Sequence, residues 1–300
     1  MGHSSVRIAP AAPQIVAHRG ASTEAPEHTY AAYVAALEAG ADALECDVRL
    51  TADGHLVCVH DGRVDRTSNG RGRVSALELA RLEELDFGSW HAPADEPGFA
   101  GEQGDARDTE GAEAAGEPVE LPDRDASRVL TLRRLLDLAA GHPKRVELAI
   151  EVKHPTRYAG RVERRLIEML DEYGWVPRPG QDASATPVRV MSFSRAALRR
   201  VHRLAPAMPT VFLMEPFMYR TLGGALPAGA AIAGPSVEIL RTRPECVERW
   251  HRAGRPVHVW TVDEPADFDL CLDLGVDAVI TNRPRRMRAE LETRSHGNAE

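Results

Sequence analysis

Eight short apolar or β-branched runs, mostly separated by helical patterns, constrain this chain more than any other feature. The runs are Ile15–His18, Ala43–Val48, Val146–Val152, Val188–Ser192, Thr210–Leu213, Ala231–Ala233, Val257–Thr261 and Ala278–Thr281. Helical patterns fall at His28–Ala39, Leu130–Ala139, Tyr158–Tyr173, Arg195–Leu204, Pro244–Ala253, Pro265–Leu274 and Pro284–Leu291. Three of these begin with proline, whose missing N–H is harmless in a first helical turn. Strands that alternate with helices pair in parallel, because each helix is the crossover between neighbours. Eight such units predict a closed (β/α)8 TIM barrel.

A ninth run breaks the alternation. Only six residues separate His55–His60 from the second strand, which leaves no room for a crossover. Asp53-Gly54 suits a two-residue hairpin turn, since both residues accept positive φ. This strand is therefore expected antiparallel beside the second barrel strand, as a small insertion. A two-residue turn sets Ala52 against His55 and Asp47 against His60. Glu45, Asp47, Cys58 and His60 would then share one face, with Cys46 on the other.

The barrel is expected over residues 14–291, with tails at 1–13 and 292–300. A chain of 300 residues with 43% hydrophobic content can fill such a core. The net charge of −8 is local. Eleven acids against two arginines give residues 91–125 a charge of −9, so the remainder is close to neutral. Residues 91–127, rich in Gly, Pro and Ala, read as a long acidic flexible loop, either a solvated spacer or a lid. The four cysteines have no metal-ligand spacing and suit a reducing, cytoplasmic setting. No apolar run approaches the ~20 residues of a membrane helix. RPRRMR at 283–288 lacks interleaved aromatics, so no nucleic-acid partner is expected and no stable membrane insertion either. Oligomeric state is not legible.

Polar residues cluster where the strands end. Glu45 and Asp47 alternate with Leu44, Cys46 and Val48, which aims both acids to one side of a strand. Adjacent carboxylates repel, and a divalent cation relieves that repulsion. A solvated strand face is the plain alternative. In VELAIEVK the same alternation aims Glu151 and Lys153 together, at the strand end where barrel active sites are built. His18-Arg19-Gly20 ends the first strand, and His60-Asp61 ends the hairpin. Two histidines, an arginine and a metal site form a coherent set for breaking a phosphodiester.

These residues match a family pattern. HRG at 18–20, PEHT at 26–29, GADALECDV at 40–48, TADGHLVCVHD at 51–61, DRTSNGRG at 65–72 and LDFGSW at 85–90 come in order. IEVK at 150–153, SF at 192–193, VWTV at 259–262 and GVDAVITNRP at 275–284 continue it. The chain resembles the glycerophosphodiester phosphodiesterases. The resemblance implies a metal-dependent phosphodiesterase of lipid and glycerol metabolism on a TIM barrel with a hairpin insertion. It implies Glu45, Asp47 and Glu151 as ligands of one divalent ion, Mg2+ or Ca2+, with Mn2+ a further candidate. His18 and His60 would be the acid–base pair, while Arg19 and Lys153 hold phosphate. Glu27 would have a supporting role near the pocket. Apart from the resemblance, Trp260 at a strand end, and likewise Phe193, would form a wall for the glycerol or alcohol moiety or belong to the core. A substrate hydroxyl would attack phosphorus, and water would open the cyclic phosphate to yield glycerol 3-phosphate and an alcohol. A lysophospholipase D or sphingomyelinase D-like substrate, or phosphate-ligand binding without turnover, are the alternatives. Three positions depart from the pattern: His28 and Asp263 for asparagine, and Asn282 for aspartate. They are expected at the rim or at helix caps, with Asp263 capping the helix at Pro265. His91, His142, His154, His202, His251 and His258 are expected to be structural or exposed.

Overall fold

The computed structural model describes residues 12–91, 124–178, 180–181 and 183–297. Most of the acidic 91–127 segment, and the spacer and lid readings attached to it, lie outside the described residues; so do residues 1–11 of the first tail.

Nine strands form one sheet: β1 Gln14–His18, β2 Ala43–Leu50, β3 Leu56–Cys58, β4 Glu147–Val152, β5 Val188–Ser192, β6 Thr210–Met214, β7 Ile232–Pro235, β8 His258–Val259 and β9 Ala278–Thr281. Eight are parallel, in the order β7-β6-β5-β4-β2-β1-β9-β8. The parallel bridges Ala233–Val257 and Ser236–Trp260 join the two ends of this order, β7 and β8, and bring the sheet round into a barrel. The barrel is the economical solution because each strand is apolar on both faces, as a parallel strand buried on both sides must be.

The alternation within strands sorts two cores. Val16, Ala43, Ala149, Met191, Val211 and Ile280 pack inside the barrel. Leu44, Cys46, Val48, Leu148 and Ile150 face outward beneath the helices. Helix Arg195–Leu204 has the predicted bounds, and its Ser194 caps Ala197 N–H at 3.2 Å. Helix Tyr30–Glu38 is likewise capped by Thr29, through Ala32 N–H at 3.2 Å. Four described helices had no sequence signal, Leu79–Glu83, Arg124–Ser127, Pro216–Leu222 and Val237–Thr242. All are shorter than two full turns, too short for a helical period to register. The last helix runs from Pro284 to Gly297, into the stretch read as a tail from the sequence.

The hairpin exists, but its register differs by one residue from the expectation. Val48 faces Cys58 and Leu50 faces Leu56. The loop spans three residues, not two: Thr51 N–H donates to His55 O at 2.9 Å, across Ala52, Asp53 and Gly54. Asp53 stays in the turn, and its carboxylate accepts from Thr51 Oγ1 at 2.5 Å and from Leu79 N–H at 3.1 Å. Cys46 and Cys58 therefore share the outward face and their thiols touch, contrary to the opposite faces expected. No disulfide forms; the cysteines are free. Asp47 sits beside Val59, whose N–H donates to its carbonyl at 3.0 Å. His60 lies past the end of β3, which carries it to the barrel mouth. The insertion has its own small core around Val57, Val64, Val74, Leu82 and Phe87.

Candidate active site

Register brings the polar residues together. His18 at the end of β1 pairs with Glu45 on β2, and Asp47 two residues on pairs with Glu151 on β4. Residues two apart on a strand share a face, so Glu45, Asp47 and Glu151 point into the same end of the barrel. One carboxylate oxygen from each lies within 4.8 Å of one from each of the others, and all three residues are buried. His18, Arg19, Glu45, His60, Glu151, Lys153, Phe193 and Trp260 line a single cavity of about 190 Å3. Thus the predicted catalytic, phosphate and aromatic residues converge. Asp47 lies in the floor beneath. Glu27 does not reach this cavity; it stands behind Arg19, bonded to Arg19 Nη1 at 3.2 Å and to Arg66.

Arg19 and Gly20 make the turn that ends β1. Arg19 has φ 58°, and its N–H donates to Glu45 Oε2 at 3.0 Å. That bond anchors a backbone conformation that side chains rarely adopt. Gly20 has φ 85°, and a Cβ there would stand 2.7 Å from the Ala32 backbone. Only glycine fits where the turn crosses helix Tyr30–Glu38.

The carboxylates are unequal. Burial and the neighbouring Asp47 charge push Glu45 well above the carboxylate range and push Glu151 up to about 7. Burial would raise Asp47 too, but Lys153, the His28 hydrogen bond and Arg19 hold it well below its ordinary value. Lys153 Nζ is 2.9 Å from Asp47 Oδ1 and 2.8 Å from Glu151 Oε2. Asp47 Oδ1 makes that ion contact without a directed hydrogen bond. Three crowded oxygens, one of them without a directed partner and two held toward protonation, are a donor set that a hard divalent cation would satisfy. These residues fit such an ion: all donors are oxygen, which favours Mg2+ or Ca2+ over zinc.

The two histidines have different supports. His18 Nδ1 is 2.7 Å from Asn282 Oδ1, which also accepts from Ser22 Oγ at 2.8 Å. Asn282 Nδ2 donates to Asp263 Oδ2 at 2.6 Å, and Asp263 Oδ1 accepts Asn282 N–H at 2.7 Å. A carboxylate cannot donate, so Asp263 turns the amide nitrogen toward itself and the amide oxygen toward His18. Burial, then the Arg19 charge, lowers His18 to about 3. His60 Nδ1 instead meets the Asp61 carboxylate at 2.7 Å. Asp61 also accepts from Arg66 Nε at 2.7 Å, and His60 with Arg66 holds it below the ordinary range. Arg49 pins the His60 carbonyl from Nε and Nη2, at 3.0 and 2.6 Å.

Sequence reasoning placed His28, Asp263 and Asn282 at the rim or in caps. Asp263 and Asn282 do lie at the rim, just past β8 and β9, but the structure corrects the placement of His28 and the cap role of Asp263. His28 is buried with φ 61°; its Nε2 is 2.9 Å from Asp47 Oδ2 and its Nδ1 is 2.8 Å from the Tyr33 hydroxyl. It is a support for the carboxylate floor. Asp263 does not cap the helix at Pro265, whose cap residue is Glu264; it holds Asn282. The signal was present: the two departures are a reciprocal exchange of Asp and Asn, as expected of residues in contact. Glu215 and Arg66 carried no sequence signal of their own; Glu215 lines the cavity and Arg66 ties Asp61 to Glu27. Phe193 and Trp260 form an edge-to-face wall with ring centroids 5.3 Å apart. The histidines read as structural behave so: His154 pairs with Glu163 and His251 with Asp277, each at 2.9 Å.

Comparison with known proteins agrees with this geometry. The glycerophosphoryl diester phosphodiesterase family model matches residues 18–286. The chain is 43% identical over 280 residues to a Mycobacterium tuberculosis protein named "Probable glycerophosphodiester phosphodiesterase 1", covering 93% of each. It is 35% identical over 276 residues to the glycerophosphodiester phosphodiesterase of Bacillus subtilis, covering 90% of this chain and 83% of that protein. A Silicibacter pomeroyi crystal structure of a putative glycerophosphoryl diester phosphodiesterase aligns with TM-score 0.72 at 26% identity, over 94% of both chains. An Oleispira antarctica phosphodiesterase in complex with sn-glycerol-3-phosphate shares the fold, with TM-score 0.68 at 22% identity over 93% of this chain and 97% of that one.

Proposed function

The chain belongs to the glycerophosphoryl diester phosphodiesterase family, and from that premise we propose that it hydrolyses glycerophosphodiesters to glycerol 3-phosphate and an alcohol. Glu45, Asp47 and Glu151 hold one divalent ion, Mg2+ or Ca2+. The observation that carries this reading is the convergence of three carboxylates within 4.8 Å and both histidines on one cavity. When bound, the ion supplies positive charge where a phosphoryl oxygen becomes more negative.

The chain's own groups perform the rest. Arg19 and Lys153 flank the carboxylates and grip the remaining phosphate oxygens; the arginine fork suits two of them. Asn282 accepts at His18 Nδ1, so the neutral ring carries its proton there and leaves a lone pair on Nε2. That nitrogen takes the proton of the glycerol 2-hydroxyl as its oxygen bonds to phosphorus. The bond from phosphorus to the alcohol oxygen breaks, and His60 gives that oxygen a proton. Water then opens the cyclic phosphate with the histidines in exchanged roles. Asp61 suits the second part, because it faces the positive charge of a protonated His60 ring. A protonated His18 ring would face an amide oxygen and the Arg19 guanidinium. Phe193 and Trp260 shape the apolar wall for the carbon edge of the glycerol.

Release of glycerol 3-phosphate from glycerophosphocholine tests the proposal, with Mg2+, Ca2+, Mn2+ and EDTA arms and lysophosphatidylcholine as a second substrate. Turnover that EDTA abolishes and a divalent ion restores is expected, with the lysolipid the poorer substrate. Full activity in EDTA would remove the metal from the account.

A further inference from the structure

Three cavities meet at Lys153. One, about 580 Å3 and lined by Arg49, His60, Asp61, Arg66, Glu151 and Lys153, shares walls with the other two. The first of those is the 190 Å3 active-site cavity, below the ~300 Å3 at which ligand pockets usually begin. It accommodates one half of a diester, so the other half must extend beyond it. The second cavity is larger, about 500 Å3, with Lys153 in its wall as well. One side comes from the insertion at Arg73–Ser75, the other from the loop after β4 at Pro155–Tyr158. The two sides are tied together by Tyr158, whose hydroxyl donates to Ser75 O at 2.5 Å.

Its charge sets it apart. Arg49, Arg73, Lys153 and Arg157 line it, and no acidic residue does. The active-site cavity offsets its bases with Glu45, Glu151 and Glu215. Among the described residues, Arg49, Arg73 and Arg157 have no carboxylate within ion-pair distance; Arg49 spends Nε and Nη2 on the His60 carbonyl. The Arg157 guanidinium lies 5.8 Å from the Tyr158 ring centroid, against a wall of the cavity. Lys153 is offset by Asp47 and Glu151, but the three guanidiniums around the hollow repel each other, and an anion placed among them relieves that repulsion. Guanidinium forks match phosphate and carboxylate oxygens in particular.

We propose that this second cavity receives the alcohol half of the substrate and selects alcohols that carry an anionic group, a phosphate or a carboxylate. The inference rests on the reading above, in which the diester phosphate is held beside Lys153. From there the alcohol oxygen departs toward His60 into the connecting hollow, which reaches the second cavity along Arg49, Gly62 and Lys153. A quaternary ammonium such as choline is disfavoured among the three guanidiniums.

Kinetics on a substrate panel test this. Glycerophospho-myo-inositol 4-phosphate and glycerophosphoserine present a phosphate and a carboxylate; glycerophosphoglycerol is neutral and glycerophosphocholine cationic. The wild type is expected to show a KM at least about tenfold lower for the inositol phosphate than for choline, an advantage that added salt erodes. In Arg73→Ser/Arg157→Ser, two exposed side chains, that KM ratio shifts about tenfold toward choline, while Arg73→Lys/Arg157→Lys keeps it. A wild type that prefers choline, or a serine variant that loses both substrates equally, would overturn the inference. Phosphate preferred over carboxylate, or the reverse, identifies the anion without altering the claim for the cavity. Calorimetric titration with myo-inositol 4-phosphate, the alcohol product alone, reads the cavity without turnover. Binding that weakens in the serine variant supports the subsite even if no diester is hydrolysed, which would then count against the proposed reaction alone. Equal binding in both proteins would overturn the subsite even in an active enzyme.

Discussion

His18 and His60 face each other across one cavity, yet they are built in opposite ways. His18 ends a barrel strand, and its outer nitrogen meets a neutral amide whose orientation a second residue dictates. His60 sits past the end of the insertion hairpin, about a third exposed at 34%, and its outer nitrogen meets a carboxylate. The first setting keeps the ring neutral, and Arg19 and burial reinforce it. The second offers a counter-charge to a ring that holds an extra proton. In the proposed reaction, two identical side chains are thus sorted into acceptor and donor by what stands behind them, the logic by which environment divides acid from base in other enzymes.

The largest effect should come from removing either ring. His18→Ala and His60→Ala are each expected to lower kcat on glycerophosphocholine about 1000-fold, within the range of general acid–base catalysis. Near-wild-type turnover in either would break the comparison. A smaller effect should follow from Asp263→Asn, which never touches substrate. With an amide at 263, the Asn282 amide can flip and present its nitrogen to His18, which moves the ring proton to Nε2. We expect kcat to fall about 10- to 100-fold with little change in KM, as when a residue that orients a site ligand is lost. Nitrogen-15 shifts of the His18 ring should report the exchanged tautomer. Adding Asn282→Asp restores an acceptor at Nδ1, so Asp263→Asn/Asn282→Asp should recover most of the activity. A double variant no better than the single one would show that Asp263 acts only in packing.

The smallest effect lies between the histidines, at Glu151. Its carboxyl is pushed up to about 7, by burial first and Asp47 second. Its protonated form therefore stabilises the metal-free fold. That contribution is complete below the free carboxyl value and is lost as pH rises toward 7. A metal must displace this proton and that of Glu45, whose carboxyl is also pushed up, so binding should release more protons near about pH 6 than near about pH 8.5. Metal titrations in buffers of different ionisation enthalpy would detect the difference, and pH-independent release would contradict it.

The barrel half of this comparison was legible in the sequence and the insertion half only partly. Glu45, Asp47 and Glu151 lie on strands, with Lys153 directly after β4, where a period of two fixes the side a residue faces and register does the rest. His60 belongs to a turn-dependent register, and one extra loop residue, Ala52 beside Asp53 and Gly54, was enough to shift it. His28 was missed because a residue at positive φ follows no period. Asn282 and Asp263 were noticed as departures, but a contact across residues 19 apart in sequence cannot be read from one chain unless two exchanges are taken as one.

The division of labour between the histidines can be tested by changing the leaving group. Glycerophosphocholine expels an alkoxide that needs a proton; a p-nitrophenyl glycerophosphate expels a phenolate that does not. The account predicts that His60→Ala recovers most of its lost kcat on the nitrophenyl substrate, while His18→Ala remains as impaired as on glycerophosphocholine. Rescue of His18→Ala in place of His60→Ala, or of neither, would contradict it.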